Sequence, residues 1–166
     1  TQQPFDEVMQ QRVFTPAHMN QARVYNGMKM DTLPHIARGS ENKRSHIADF
    51  YLNGVTGDKG AYATTTDLLN LHLALQNHTL LSDSIQNVMY TAQSKYKRNK
   101  SYALGWRVME ATDDHPEIRY HFGWWRGYRS YFIRIPSQNK CLVALCNLSK
   151  GEFLPKKDLI ELLMKN

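Results

Sequence analysis

One segment concentrates side chains that can do chemistry. Tyr120-His121-Phe122-Gly123-Trp124-Trp125-Arg126-Gly127-Tyr128-Arg129-Ser130 holds two of the three tryptophans of the chain, together with a histidine, two glycines and two arginines. A histidine can take and give a proton near neutral pH. Glycines in extended chain allow another backbone or a ligand to approach closely. Arg126 and Arg129 can meet an anionic group, and both also suit surface charge beside a strand. A hairpin whose tryptophans cap a hydrophobic core has the same composition. From composition alone both readings stay open.

Other chemistry is poorly supplied. There is no His-Glu-x-x-His, no paired Cys-x-x-Cys and no calcium-loop pattern, so neither a metal nor another cofactor is expected. Gly54-x-x-Gly57-x-x-Gly60 lacks the Gly-Lys-Ser/Thr ending of a phosphate loop and reads as a turn. His72 lies among leucines and reads as a packing residue. Cys141 and Cys146 are five residues apart on one apolar run, about 16 Å along a strand. Disulfide geometry needs Cα atoms within about 7 Å, so two free thiols are expected.

The elements that must position the segment follow from pattern. Pro4 to Phe14 has apolar residues at helical spacing and should be a helix that stops by Pro16. Residues 17–60 are polar and punctuated by glycine and proline, a long connection of the kind that wraps a neighbouring part of a fold or carries function. Thr64-Thr65-Thr66-Asp67 resembles a capping box opening a leucine-rich core helix. A second helix should start at Ser82 or Ser84. Lys95-Tyr96-Lys97-Arg98-Asn99-Lys100 reads as a solvated loop. Four strands follow, Tyr102 to Glu110, Ile118 to Phe122, Arg129 to Ile135 and Lys140 to Asn147, at a spacing that suits antiparallel neighbours. Pro155 should open a last helix burying Leu159, Ile160, Leu162 and Leu163. The fold class expected is α+β, an antiparallel sheet of three to four strands with packed helices.

With 166 residues, 42% apolar and 22% charged, the chain suits one folded domain. That domain divides into a helix and long loops (1–60), a helical part (61–101), and strands with a terminal helix (102–166). No run of eighteen apolar residues occurs, so no membrane-spanning helix is expected. No leader pattern opens the sequence, so no signal peptide is expected within it. The net charge of +6 permits contact with nucleic acid, anionic lipid or acidic polymers. The aromatics cluster at one turn rather than along a strand face, so a nucleic-acid partner is not expected.

Several words, in order, resemble one family. His121-x-Gly123-x-x-x-Gly127-x-x-Ser130 resembles the third signature of the serine β-lactamase and penicillin-binding-protein superfamily, in the branch of class C β-lactamases, D-amino-acid peptidases and esterases, where His-x-Gly stands for Lys-Thr-Gly. Pro16-Ala17-His18-Met19, Gly60 to Leu68, Tyr102-Ala103-Leu104-Gly105-Trp106 and Leu145-Cys146-Asn147 resemble the family's other words. The likeness runs from about Pro4 to Leu163. It implies the C-terminal part of a β-lactamase/transpeptidase-like fold. It further implies that His121, Gly123 and Trp124 form one catalytic wall, with the Trp124 backbone N–H as one of two oxyanion donors, and that Trp125, Arg126 and Ser130 meet substrate. Trp124 and Trp125 stand where the family commonly has small residues, which suggests a narrower, more aromatic mouth.

The resemblance also sets what should lie elsewhere. The family's nucleophile sits in an upstream Ser-x-x-Lys, followed by Tyr-x-Asn. Ser-x-x-Lys occurs here at Ser40-Lys43, Ser94-Lys97 and Ser137-Lys140, and Tyr51-Leu52-Asn53 is present. A catalytic serine needs a base held beside it, normally at the start of a buried helix, and these three lie in polar loops or a tight turn. They read as chance matches. The chain alone is therefore expected to be inactive. Its expected partners are the N-terminal half of the same domain and a small-molecule or peptidoglycan-type substrate, with an exposed sheet edge able to form a homodimer by strand or segment exchange. The resemblance places such a protein in the periplasm or cell envelope. The rival reading is a non-catalytic module binding cell wall, glycan or protein.

Overall fold

The computed structural model describes residues 1–25, 27, 35–42, 45–150 and 155–165. Helix α1 (Phe5–Met9) starts behind Pro4, whose φ of −53° suits the entry to a helix, and runs on as a π-helical turn over Gln10–Phe14 that buries Phe14. Short strands β1 (Arg23–Val24), β2 (Ser40–Asn42), β3 (Ser45–His46) and β4 (Ala61–Tyr62) pair as β1–β4 and β2–β3. Helix α2 (Thr65–Gln76) opens on the expected capping box: Thr64 Oγ1 accepts the Asp67 N–H at 3.1 Å, and Asp67 Oδ2 accepts the Thr64 N–H at 2.8 Å. The other carboxylate oxygen of Asp67 takes the Gln21 N–H at 3.1 Å, so one buried acid caps α2 and ties it to the chain leaving α1. Phe14, Ala17, Met19, Ala22 and Ala74 form the small core between them.

The main sheet has six antiparallel strands in the order β10-β9-β8-β7-β6-β5. They are β5 (Ser94–Lys97), β6 (Lys100–Tyr102), β7 (Arg107–Met109), β8 (Ile118–Trp125), β9 (Tyr128–Ile135) and β10 (Lys140–Cys146), with α3 (Asp83–Tyr90) before them and α4 (Lys156–Lys165) after. The expected α+β layout holds, with two corrections to its sheet. The basic loop is a hairpin, β5–β6, with every residue of β5 exposed. The strand expected over 102–110 is broken at Gly105 (φ +73°) into the end of β6 and all of β7.

Alternation along β8 and β9 divides the sheet into two faces. Ile118, Tyr120, Ile133 and Ile135 point to one side and are covered by Leu159, Ile160 and Leu163 of α4. Leu162, expected inside, is exposed because it lies on the outer side of that helix. The other face carries Arg119, His121, Gly123 and Trp125 of β8, opposite Arg134, Phe132, Ser130 and Tyr128 of β9. Its lower end packs on α2 and α3 through His72 and Tyr90. Leu69 and Leu73 of α2 remain exposed, so that helix is only half covered. His72 is a buried packing residue, and both cysteines are free thiols, as expected. Cys141 is pushed up to about 11 by burial.

Candidate active site

The site segment is a long β-hairpin. β8 and β9 pair residue for residue from Arg119↔Arg134 to Trp125↔Tyr128 and are joined by the two-residue turn Arg126-Gly127. Both turn residues have positive φ, +33° and +95°, the geometry of a tight turn that continues the strand twist. A side chain on Gly127 would reach 2.5 Å from the Ser40 nitrogen, and one on Gly39 would reach 2.4 Å from the Arg126 carbonyl. Glycine is required twice because the turn is pressed backbone to backbone against residues 39–40.

Pairing register fixes which backbone groups of β8 are free. Trp125 and Tyr128 close the two-residue turn as a narrow hydrogen-bonded pair, so the N–H groups of Trp125, Gly123 and His121 point at β9. Those of Trp124 and Phe122 point the other way. On that side β7 pairs only with Ile118 to Tyr120. Among the described residues, the Trp124 N–H therefore faces an unpaired stretch of the β8 edge, next to His121 and Gly123. Gly123 leaves the wall low: a Cβ there would come within 2.4 Å of Ser130 Oγ across the pair.

His121 is exposed and its Nε2 lies 3.2 Å from the Tyr102 hydroxyl, with the two rings edge to face at 6.4 Å. Partial desolvation at the sheet surface, aided by the Arg107 guanidinium, holds this imidazole below the usual histidine range. Arg107 in turn lies over the Tyr102 ring. Tyr102 belongs to a word noted in the sequence, but nothing in the sequence says that it reaches a residue nineteen positions later.

The structure brings His121, Gly123, Trp125 and Ser130 onto one face and turns the Trp124 side chain to the other, 70% exposed. Trp125 and Arg126 are tied to the long connection. Trp125 Nε1 donates to Asn53 Oδ1 at 3.1 Å, and Lys59 sits 4.5 Å from its ring centroid. Arg126 donates to the Ala48 carbonyl at 3.1 Å and stacks over Phe50 at 4.5 Å. The cavity beside them is about 30 Å³, room for a water and not for a substrate. Arg129 donates to the Leu148 carbonyl at 2.7 Å. These arginines thus hold loops against the hairpin.

The Ser-x-x-Lys matches are also placed. Ser40 is 5% exposed, with Oγ 2.9 Å from His46 Nδ1 and 3.3 Å from the Arg38 carbonyl, while Lys43 lies outside the described residues. A histidine is beside it, but the hydroxyl is enclosed. Ser94 and Lys97 lie on the exposed β5. Ser137 lies in a 3-10 turn and Lys140 on β10. Asn53 of Tyr51-Leu52-Asn53 is engaged by Trp125. Among the described residues, no group of three or more His, Cys, Asp or Glu side chains is arranged to hold a metal ion.

A six-stranded antiparallel sheet with helices on both faces and an inner His-x-Gly strand that outruns its neighbour β7 is the fold of the serine β-lactamase and penicillin-binding-protein class. The profile of the Beta-lactamase family matches residues 1–164, and the chain belongs to that family of β-lactamase-like serine hydrolases. It is 28% identical over 152 residues to penicillin-binding protein 4* of Bacillus subtilis (strain 168), a match covering 81% of this chain and 33% of that protein. It is similar in fold to a penicillin-binding protein of Bacillus halodurans, with a TM-score of 0.76, 24% identity, and 97% of this chain covering 48% of that one. The D-amino acid amidase of Ochrobactrum anthropi SV3 gives a TM-score of 0.72 at 19% identity, covering 98% of this chain and 50% of the other. The chain thus spans between a third and a half of the length of these relatives.

Proposed function

We propose that this chain supplies the His-x-Gly wall of an acyl-transfer site acting on β-lactams, D-amino-acid peptides or small esters. The observation that carries the reading is the Trp124 N–H, aimed at the unpaired stretch of the β8 edge beside Gly123 and His121. A preorganised N–H at that position can stabilise a developing oxyanion, and one such donor is worth roughly 3 kcal/mol. In this reading a serine on a segment beyond these 166 residues attacks the carbonyl, a Lys or Tyr beside it takes the proton, the Trp124 N–H and the serine's own N–H hold the oxyanion, and water later releases the acyl group. His121 contacts the substrate. By itself the chain has half of an oxyanion hole and is inactive.

The partner in this reading is the remaining part of the family's domain, as the lengths of the relatives suggest. The outer edge of β10, last in the sheet among the described residues, supports this reading. That edge borders a groove of about 430 Å³, with Leu69 and Leu73 of α2 on one side and Leu162 and Leu163 of α4 on the other. Strand exchange between two copies is the competing use of the same edge. A location in the periplasm or cell envelope is proposed from the family alone.

The test is intact-mass spectrometry after treatment with a fluorophosphonate serine probe. No adduct is expected on this chain, and one adduct is expected when the upstream half of the domain is co-expressed. An adduct on the chain alone, mapped to Ser40, would overturn the reading. Absence of labelling in both cases would leave the non-catalytic module, for which the exposed Trp124 is a stacking platform for sugar rings.

A further inference from the structure

We propose that Tyr102 is a positioning residue which donates its hydroxyl proton to Nε2 of His121 and so holds that imidazole in the neutral tautomer carrying its proton on Nδ1. The proposal deepens the acyl-transfer reading and rests on it for its consequence, though not for its first test.

The geometry is specific to one ring nitrogen. The Tyr102 oxygen lies 3.2 Å from Nε2, and the rings meet edge to face at 6.4 Å. Tyr102 reaches this position from the end of β6, beyond the point where β7 stops pairing with β8. It meets β8 at His121, the first residue past the end of the β7–β8 pairing. Arg107, its cross-strand partner, lies 6.0 Å from the Tyr102 ring centroid, and its charge also reaches His121.

Chemistry then decides the direction of the proton. Between a phenol and a neutral imidazole, the phenol is the stronger acid and the unprotonated ring nitrogen the stronger base. The favoured bond is O–H···Nε2, which leaves the proton of the ring on Nδ1. A neighbouring guanidinium adds to this, since it disfavours an imidazolium and leaves Arg107 without a second cation beside it. His121 then presents a neutral N–H donor on Nδ1, not a positive charge. Recognition by such a group suits a carbonyl or hydroxyl of the substrate as well as a carboxylate. Within the proposed substrates, that favours neutral amides and esters alongside those with a free carboxylate.

The first test is two-bond nitrogen–proton NMR of the histidine ring in this 166-residue chain at pH 8. It is expected to show His121 with a protonated Nδ1 and an unprotonated Nε2. In Tyr102→Phe, which keeps the ring packing and removes only the hydroxyl, the signals should move toward the Nε2–H form. A wild-type ring protonated on Nε2, or a pattern unmoved by the substitution, would overturn the assignment. The second test uses the chain assembled with the nucleophile-bearing half of the domain. Tyr102→Phe should lower kcat for a small ester about tenfold with little change in KM, and unchanged kcat would overturn the positioning role. If that assembly hydrolyses nothing and takes no fluorophosphonate, the acyl-transfer reading fails while the NMR result still decides the tautomer.

Discussion

Arg134 donates its Nε–H to Nδ1 of His72 at 3.0 Å, deep in the protein where Arg134 is only 1% exposed. A guanidinium offers protons and no lone pair, so Nδ1 of His72 must be bare. Its proton sits on Nε2 and is donated to Asn139 Oδ1 at 3.2 Å, from a turn residue whose φ is +49°. Arg134 also donates to the Tyr90 hydroxyl at 2.7 Å. Its charge is thus buried against a neutral histidine, a phenol and the ring of Trp106. Protonating His72 would bring a further cation against Arg134, which already faces Arg119 across the strand pair.

That pair makes stability depend on pH. Burial, and then the Arg134 charge, hold His72 below the usual histidine range. Between the lowered folded value and the unfolded value of about 6.5, the unfolded chain binds more protons than the folded one. Stability from this residue is therefore complete above about pH 7 and is lost as pH falls through the unfolded value, levelling off below the folded value. Urea midpoints measured from pH 8 to pH 5 should fall further in wild type than in His72→Gln, which keeps only the smaller loss from His121. Equal slopes in the two proteins would contradict it. His72→Ala, which leaves the buried Arg134 Nε–H without its acceptor, is expected to cost about 1–3 kcal/mol at pH 8.

The low wall at Gly123 predicts a coupling. Gly123→Ala places a methyl group 2.4 Å from Ser130 Oγ unless the serine turns away. A loss of about 1–2 kcal/mol is expected, typical of mild overpacking. Ser130→Ala should recover most of it. A double-mutant cycle by chemical denaturation should give a coupling of at least about 0.5 kcal/mol, and simple additivity would show that the two residues do not meet.

The turn glycines should be less forgiving. At Gly127 any side chain suffers both a φ of +95° and a contact of 2.5 Å with backbone, which cannot rotate aside. Gly127→Ala and Gly39→Ala are each expected to cost more than Gly123→Ala, about 2–4 kcal/mol. Thermal melts of the three variants give the order directly.

Trp125 should act at a distance of many residues along the chain. Its N–H reaches Asn53 and its ring receives Lys59, so it holds the connection 47–60 against the hairpin. Trp125→Phe removes the hydrogen bond, worth about 1 kcal/mol, and weakens the cation contact. Limited proteolysis should then cut between residues 47 and 60 several times faster, with the hairpin itself still protected. Cleavage at an unchanged rate would mean that other contacts hold the segment.

How much of this was legible beforehand depended on the range of the interaction. The Thr64–Asp67 capping box is a contact over three residues and could be read directly. Both strands of the β8–β9 hairpin were readable from alternation, but their extension through Gly123 to Trp125 and from Tyr128 was not, because glycines and tryptophans there break the pattern. The β5–β6 hairpin was not readable, because Ser94 to Lys97 has no buried side to produce a pattern. Leu162 was misplaced because a run of leucines does not say which one faces outward. Arg134 carries a charge at a position where alternation suggests only a side, and its enclosure depends on His72, sixty-two residues earlier. The site was half legible: His121 and Gly123 stand out by type and spacing, whereas the ties from Trp125 to Asn53 and from Tyr102 to His121 are set by the fold.

The two-residue turn at Arg126-Gly127 also bears on the order in which the molecule assembles. Closing so short a loop costs little chain entropy, and each pair added along β8 and β9 lengthens a ladder already begun. The strip from His121 to Trp125 can thus form as a local nucleus, whereas the clasp between His72 and Arg134 must wait for a much longer loop to close. The part of the protein that holds the open N–H of Trp124 is then built from short-range contacts, and it does not depend on the long-loop closure that the layers enclosing the sheet require.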